Sequence, residues 1–197
     1  MIFAESKCII SICTWIELYL KRLKHQVPDS TKLAIVFDID ETIYFPCQCQ
    51  HVSPPPQIKR IYDQSVAYGF QIYFITSRIY SQHNVDQTWH LLKRLGCNDF
   101  RGLFLMPENY LQYPNASSFK TLLRESICKE GYHIALNIGN RWQDLMLLPP
   151  FEIDEEAHAA RKLMLERSHN TFMIVKLPDV AWISVKMPTS GCCPWYE

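Results

Sequence analysis

Ile35-Val36-Phe37-Asp38-Ile39-Asp40-Glu41-Thr42-Ile43 joins an apolar run to three acidic side chains within four residues. The run begins at Leu33 and, as Leu33-Ala34-Ile35-Val36-Phe37, is too short for a helix and rich in strand formers, so it reads as a buried strand. Asp38 and Asp40 follow it two residues apart, and a continuing strand would put both on one face. Such a pair suits a division of labour in which one carboxylate attacks an electrophile while the other moves protons. Thr42 is placed to hydrogen-bond to the same loop. Two acids after a strand also commonly cap a helix, so the chemistry has to be weighed with the rest of the chain.

Downstream, Pro56 opens a helix carrying Ile58, Ile61, Tyr62 and Val66 inward and stopped by Gly69; a second strand follows at residues 70–75. Val85, Trp89, Leu92 and Leu95 suit a helix closed by Gly96, before the apolar residues 103–106. Phe119, Leu122, Leu123 and Ile127 mark a further helix closed by Gly131, before a strand at residues 132–138. Strands alternating with helices in this way imply a three-layer α/β/α fold around a parallel sheet. Ligands of such sheets gather beyond the carboxyl ends of the strands, where Asp38, Thr76 and Gly139 are expected.

Residues 152–169 suggest a charged helix and 171–175 a last strand, with 181–186 a short strand or an arm. Ile9, Ile12, Ile16, Leu20 and Leu23 recur at helical spacing and predict an amphipathic docking helix within residues 1–27. The expected organisation is one domain over 1–197, with this helix, a catalytic core at 33–178 and a C-terminal arm at 179–197.

Composition narrows the function classes. Of 197 residues 48% are hydrophobic, enough for a core, and 20 basic side chains balance 20 acidic ones, so no global field recruits a polyanion. No stretch reaches the ~18–20 apolar residues of a membrane span. Residues 8–15 resemble a signal-peptide core but lack a small-residue cleavage site and are flanked by Glu5 and Glu17. The eight cysteines are scattered without metal-type pairs and read as reduced thiols in an intracellular, cytoplasmic protein. Cys47-Gln48-Cys49-Gln50-His51 reads as a loop with incidental cysteines, because structural zinc sites use wider spacing and a second pair.

The opening segment resembles the first motif of the haloacid dehalogenase superfamily, DxDxT type, especially its plant and bacterial acid phosphatase branch. Three more segments agree in order. Phe74-Ile75-Thr76-Ser77-Arg78 is similar to the second motif, Ser118-Phe119-Lys120-Thr121-Leu122-Leu123-Arg124 to the third, and Asn137-Ile138-Gly139-Asn140-Arg141-Trp142-Gln143-Asp144-Leu145 to the fourth. Lys176-Leu177-Pro178-Asp179 resembles the branch's closing segment.

The resemblance implies a magnesium-dependent phosphatase with a Rossmann-like fold, working through an aspartyl-phosphate. Asp38 would be the nucleophile and Asp40 the general acid and base, with Thr76 and Lys120 completing the catalytic set. Thr42, Ser77 and Arg78 would meet the substrate, and Mg2+ would be held by Asp38, Asp40, Asn140 and Asp144. Phosphoryl transfer is largely positioning and charge neutralisation, which is why a lysine and a divalent cation accompany the carboxylates. Asn140 departs from the pattern, which has an aspartate there; the site loses a unit of charge, and weaker metal binding is expected.

Each of these residues has an ordinary explanation as well. Thr76 alone is a turn residue, Lys120 a solvated helix lysine, Asp144 a cap for the following turn, and Arg78 and Arg124 exposed arginines. Trp142 is expected either to pack or to stack on a substrate. Little room remains for a lid after the first motif or between the second and third, so an open site with little or no cap is expected. Its substrate could be a small phosphorylated molecule, a phosphoprotein or a nucleic-acid end. A weakened binding or storage protein on the same fold is the competing reading, motivated by Asn140.

Overall fold

A run of five apolar residues has no solvent face, and Leu33–Phe37 (β2) is buried at every position, paired on both edges. The structure is a computed structural model and describes residues 2–6, 9–27, 29–45, 54–109, 116–145, 172–176 and 183–187. Around β2 the chain forms β1 (Ile2–Ser6), α1 (Ile9–Gln26), α2 (Pro56–Ala67), β3 (Gln71–Ile79), α3 (Gln82–Arg94) and β4 (Gly102–Met106). It continues through α4 (Ala116–Lys129), β5 (His133–Gly139), α5 (Trp142–Leu145), β6 (Phe172–Lys176) and β7 (Ile183–Lys186). One seven-stranded sheet results, in the order β1-β6-β7-β5-β2-β3-β4. The five strands β7, β5, β2, β3 and β4 run parallel, whereas β6 is antiparallel to both of its neighbours. The fold is therefore the expected Rossmann-like α/β architecture.

Strand alternation sorts the core into two layers. Leu33, Ile35 and Phe37 pack with Ile72 and Phe74 beneath Ile12, Ile16 and Leu20 of α1, Ile58, Ile61 and Tyr62 of α2, and Leu91 and Leu92 of α3. Ala34, Val36, Tyr73 and Ile75 face the other way, against Phe119 and Ile127 of α4. The β2–β5 register slips between Ala34 and Ile35, which pair with Ile134 and Leu136, leaving Ala135 as the extra residue of a bulge. Pro56 starts α2, and Gly69, at φ +80°, closes it where its N–H donates to the Val66 carbonyl at 2.9 Å.

The structure corrects the sequence reading in several places. β3 runs on through Thr76 to Ile79, and the register to β4 breaks after Thr76, so Thr76 ends the regular pairing rather than the strand. Trp89 and Leu122, expected in the core, are exposed at 40% and 50%. In α3 the position beside Trp89 that turns inward is Thr88, and in α4 the inward face is polar, carrying Ser117, Ser118, Lys120, Thr121 and Arg124. β1, which the sequence reading did not foresee, and β7, left open there as a short strand or an arm, both enter the sheet, and β7 lies between β5 and β6. The charged helix expected at 152–169, the Cys47–Cys49 loop and most of the closing segment lie outside the described residues.

Because Leu20 is fully buried in the layer over β2, Leu20→Ala is expected to lower unfolding stability by about 2–5 kcal/mol. Urea denaturation measures this; a loss under about 1 kcal/mol would mean that α1 docks only loosely.

Candidate active site

The central strand stops at Phe37, but Asp38 stays attached to the sheet because its N–H donates to the Ile138 carbonyl at 2.9 Å. Beyond it the chain turns tightly, with the N–H groups of Thr42, Ile43 and Tyr44 at 3.3, 3.0 and 2.9 Å from the Ile39 carbonyl. Glu41 takes a left-handed conformation, φ +58°, and its N–H donates to the Tyr44 carbonyl at 2.7 Å. The turn replaces the strand continuation expected for Asp38 and Asp40. Asp38 points into the protein and is 6% exposed; Asp40 stands at the rim with its side chain 43% exposed.

Lys120 of α4 reaches across to this loop. Its Nζ lies 2.5 Å from Asp38 Oδ1 and 2.5 Å from Asp144 Oδ1, with all three side chains buried. The lysine is therefore no solvated helix residue; it ties the first, third and fourth sequence motifs together. Asp144 is held on all sides. Arg141 N–H donates to its Oδ2 at 2.8 Å, while Arg124 Nη1 and Asn137 Nδ2 donate to its carbonyl at 2.6 and 2.8 Å. It lies flat on Gly139, where an added Cβ would come within 2.4 Å of the Asp144 Cβ. Arg124, read as exposed by default, is wholly buried in this role, and Trp142 packs with the Lys186 ammonium 5.7 Å from its ring centroid.

The second motif supplies the opposite wall. Arg78 grips Asp40 through two bonds, Nε to Oδ2 at 2.9 Å and Nη2 to Oδ1 at 2.7 Å, and donates a third to Thr88 Oγ1 at 3.0 Å. Arg78 is thus the partner of Asp40, and it also lines the cavity between them and Lys120. Thr76 Oγ1 accepts the Arg78 N–H at 3.2 Å, which leaves its hydroxyl proton free to donate elsewhere. Ser77 Oγ is buried without a hydrogen-bond partner among the described residues. Thr42, also expected at the substrate, is fully buried and donates to Asp38 Oδ2 at 3.3 Å. A cavity of about 230 Å³ is lined by Asp38, Asp40, Thr76, Ser77, Lys120 and Asp144, with Asn140 on its wall.

Burial dominates the electrostatics. It pushes the Asp38 carboxyl up to about 7, with Asp144 adding repulsion and Lys120 opposing. Burial pulls Lys120 down, but Asp38 and Asp144 together outweigh it and hold the ammonium above its ordinary value. Two further buried cations feel Asp144: burial lowers Arg124 to about 10 and Lys186 to about 8, against the carboxylate's pull.

Among the described residues no three acidic, histidine or cysteine side chains gather as a cation cluster. The residues lining the cavity nevertheless offer hard oxygen donors, in the side chains of Asp38, Asp40, Asp144 and Asn140. One or two carboxylates completed by neutral oxygens and waters is the set that Mg2+ accepts, so these residues fit it. The sequence did not reveal the Asp40–Arg78 pair, the buried Arg124, or Glu41, whose Oε2 accepts from Asn140 Nδ2 at 2.6 Å.

A parallel Rossmann-like sheet with this loop at the carboxyl end of its central strand defines a haloacid dehalogenase-like protein. The model of the HAD superfamily, subfamily IIIB (acid phosphatase), matches residues 47–179, and the chain belongs to that family. The match starts beyond the Asp38 loop, so that loop stands on its own sequence and geometry. Among similar proteins, the stem 28 kDa glycoprotein of Glycine max is 33% identical over 46% of this chain and 35% of its own length. A stem 31 kDa glycoprotein of the same plant is 30% identical over 56% of this chain and 43% of its own. The chain thus matches less than half the length of these relatives. No helix among the described residues is long and apolar enough to cross a membrane.

Gly139→Ala is expected to drive Asp144 off the backbone and destabilise the protein by about 1–3 kcal/mol. Wild-type urea stability in this variant would contradict the close approach.

Proposed function

We propose that the chain hydrolyses phosphate monoesters with Asp38 as nucleophile. The observation that carries this reading is Lys120, whose single ammonium touches both Asp38 and Asp144 at the mouth of a cavity that Thr76 and Ser77 also line. An Asp38 oxygen bonds to phosphorus as the bond to the leaving oxygen breaks. Asp40, at the rim beside Arg78, is the general acid and base: in its protonated form it gives its proton to that oxygen, and as the resulting carboxylate it later takes one from the water that releases phosphate. Lys120 offsets the charge of Asp38 and the incoming phosphoryl group; Thr76 and Ser77 donate to its oxygens. Mg2+, held by Asp38, Asp144, Asn140 Oδ1 and the Asp40 carbonyl, would supply the remaining charge neutralisation.

The leaving group has room beside this site. A second cavity of about 710 Å³ shares Arg78 with the first; its lining includes Tyr44, Thr88, His90, Leu91 and Arg94 and, among the described residues, no acidic one. Its size and composition favour a bulky, anionic leaving group such as a nucleoside carrying further phosphate.

Purified protein is expected to turn over p-nitrophenyl phosphate with Mg2+, and Asp38→Asn to reduce kcat at least ~10³-fold while melting as a folded protein. Binding of phosphate by a folded wild type without any turnover would favour the second reading, a binding protein weakened at Asn140. Arg94→Glu is expected to raise KM about tenfold for a nucleoside diphosphate and leave p-nitrophenyl phosphate unaffected. Equal effects on both substrates would remove the larger cavity from the binding scheme.

A further inference from the structure

Asn140 has lost the negative charge that the family pattern carries at this position, yet the structure returns a carboxylate to it. Glu41, from the turn after Asp40, sets Oε2 2.6 Å from Asn140 Nδ2. Asn140 itself is 1% exposed and lies on the cavity wall. A carboxylate only accepts hydrogen bonds, so the amide nitrogen must be the end facing Glu41, and the two ends of the side chain are fixed without ambiguity. Among the described residues Oδ1 takes no hydrogen bond. Glu41 meanwhile occupies a left-handed conformation, φ +58°, that non-glycine residues seldom adopt and that clusters at functional sites.

We infer that Glu41 is a positioning residue for the divalent-cation site: it holds Asn140 with Oδ1 as the cation donor and supplies, one bond removed, the charge missing at position 140. The hydrogen bond is charge-assisted, and it polarises the amide so that Oδ1 gains negative character. Partners one shell out from a metal ligand act in this manner, setting both the ligand's orientation and its basicity. The identity of the cation rests on the hydrolase reading; the Glu41–Asn140 contact does not.

This arrangement reverses the simple expectation for restoring the aspartate. Asn140→Asp alone would set carboxylate against carboxylate where a hydrogen bond now stands, so it should lower the melting temperature and fail to tighten Mg2+ binding. Adding Glu41→Gln gives the new aspartate an amide donor, a pair of the opposite polarity, and should recover both properties.

The test is a cycle of wild type, Glu41→Gln, Asn140→Asp and the double variant, with Glu41→Ala alongside. Mg2+ affinity is read by calorimetry and stability by thermal melting without metal. Glu41→Ala should weaken Mg2+ binding about 10-fold or more, and Glu41→Gln, which keeps the bond but loses the charge, by less. The double variant should bind Mg2+ at least as tightly as the wild type and melt above Asn140→Asp. An affinity within twofold of wild type for both Glu41 variants, or tighter binding and unchanged melting for Asn140→Asp alone, would overturn the inference. Turnover is not part of the readout. A wild type that binds Mg2+ but hydrolyses nothing removes only the hydrolase reading, whereas flat Mg2+ affinity across the cycle removes only this one.

Discussion

The Lys120 ammonium holds together two carboxylates that burial has separated from water. Asp38 arrives from the end of the central strand and Asp144 from a short turn after β5, and the lysine gives both buried side chains a shared cation partner. Mutual repulsion between the acids makes the lysine necessary, and their combined pull keeps it charged despite its own burial. Such a triad gains little net stability over an apolar core, since desolvation offsets most of its attraction, but removing one member leaves an unpaired buried charge. Its geometry is therefore tightly specified, and much of the neighbouring structure serves to fix it.

α4 is built around that demand. It packs Phe119 and Ile127 on the sheet in the usual manner, while Ser117, Ser118, Lys120, Thr121 and Arg124 are buried as well, Lys120 and Arg124 reaching the site. Arg124 binds the Asp144 carbonyl and Thr121, and Asn137 of β5 reaches the same carbonyl. Gly139 leaves the space into which Asp144 folds. α4 and β5 thus converge on a single acidic residue that lies on none of the strands.

The other half of the site is organised by the turn after Phe37. Three N–H groups converging on one carbonyl reverse the chain within a few residues, which sends Asp38 inward and Asp40 outward to Arg78. The same turn brings Glu41 back to Asn140. The chain's one departure from the family pattern in the fourth motif is therefore in contact with a residue of the first, and the two segments are read more accurately together than apart.

The parallel core was legible in the sequence because β2, β3, β4 and β5 are short apolar runs between helices whose stops are glycines, and local patterns are enough to show it. The first and fourth motifs were legible for a similar reason, each running off the end of its strand, whereas the second lies inside β3 and the third inside α4. Less visible was anything set by packing between distant segments. Leu122 was taken for core and Arg124 for surface because apolar periodicity cannot foresee a helix that buries its polar face against charge. β1 and β7 were missed or left open as short segments whose pairing partners lie far along the chain. The sequence by itself determined the alternation of strands and helices and which acids and lysine became candidates for the chemistry, since those follow from residue type and local spacing. Only the tertiary structure decided which carboxylate Lys120 and Arg78 each satisfy, and that Glu41 faces Asn140, because such pairings depend on where the turns point side chains separated by up to 99 residues.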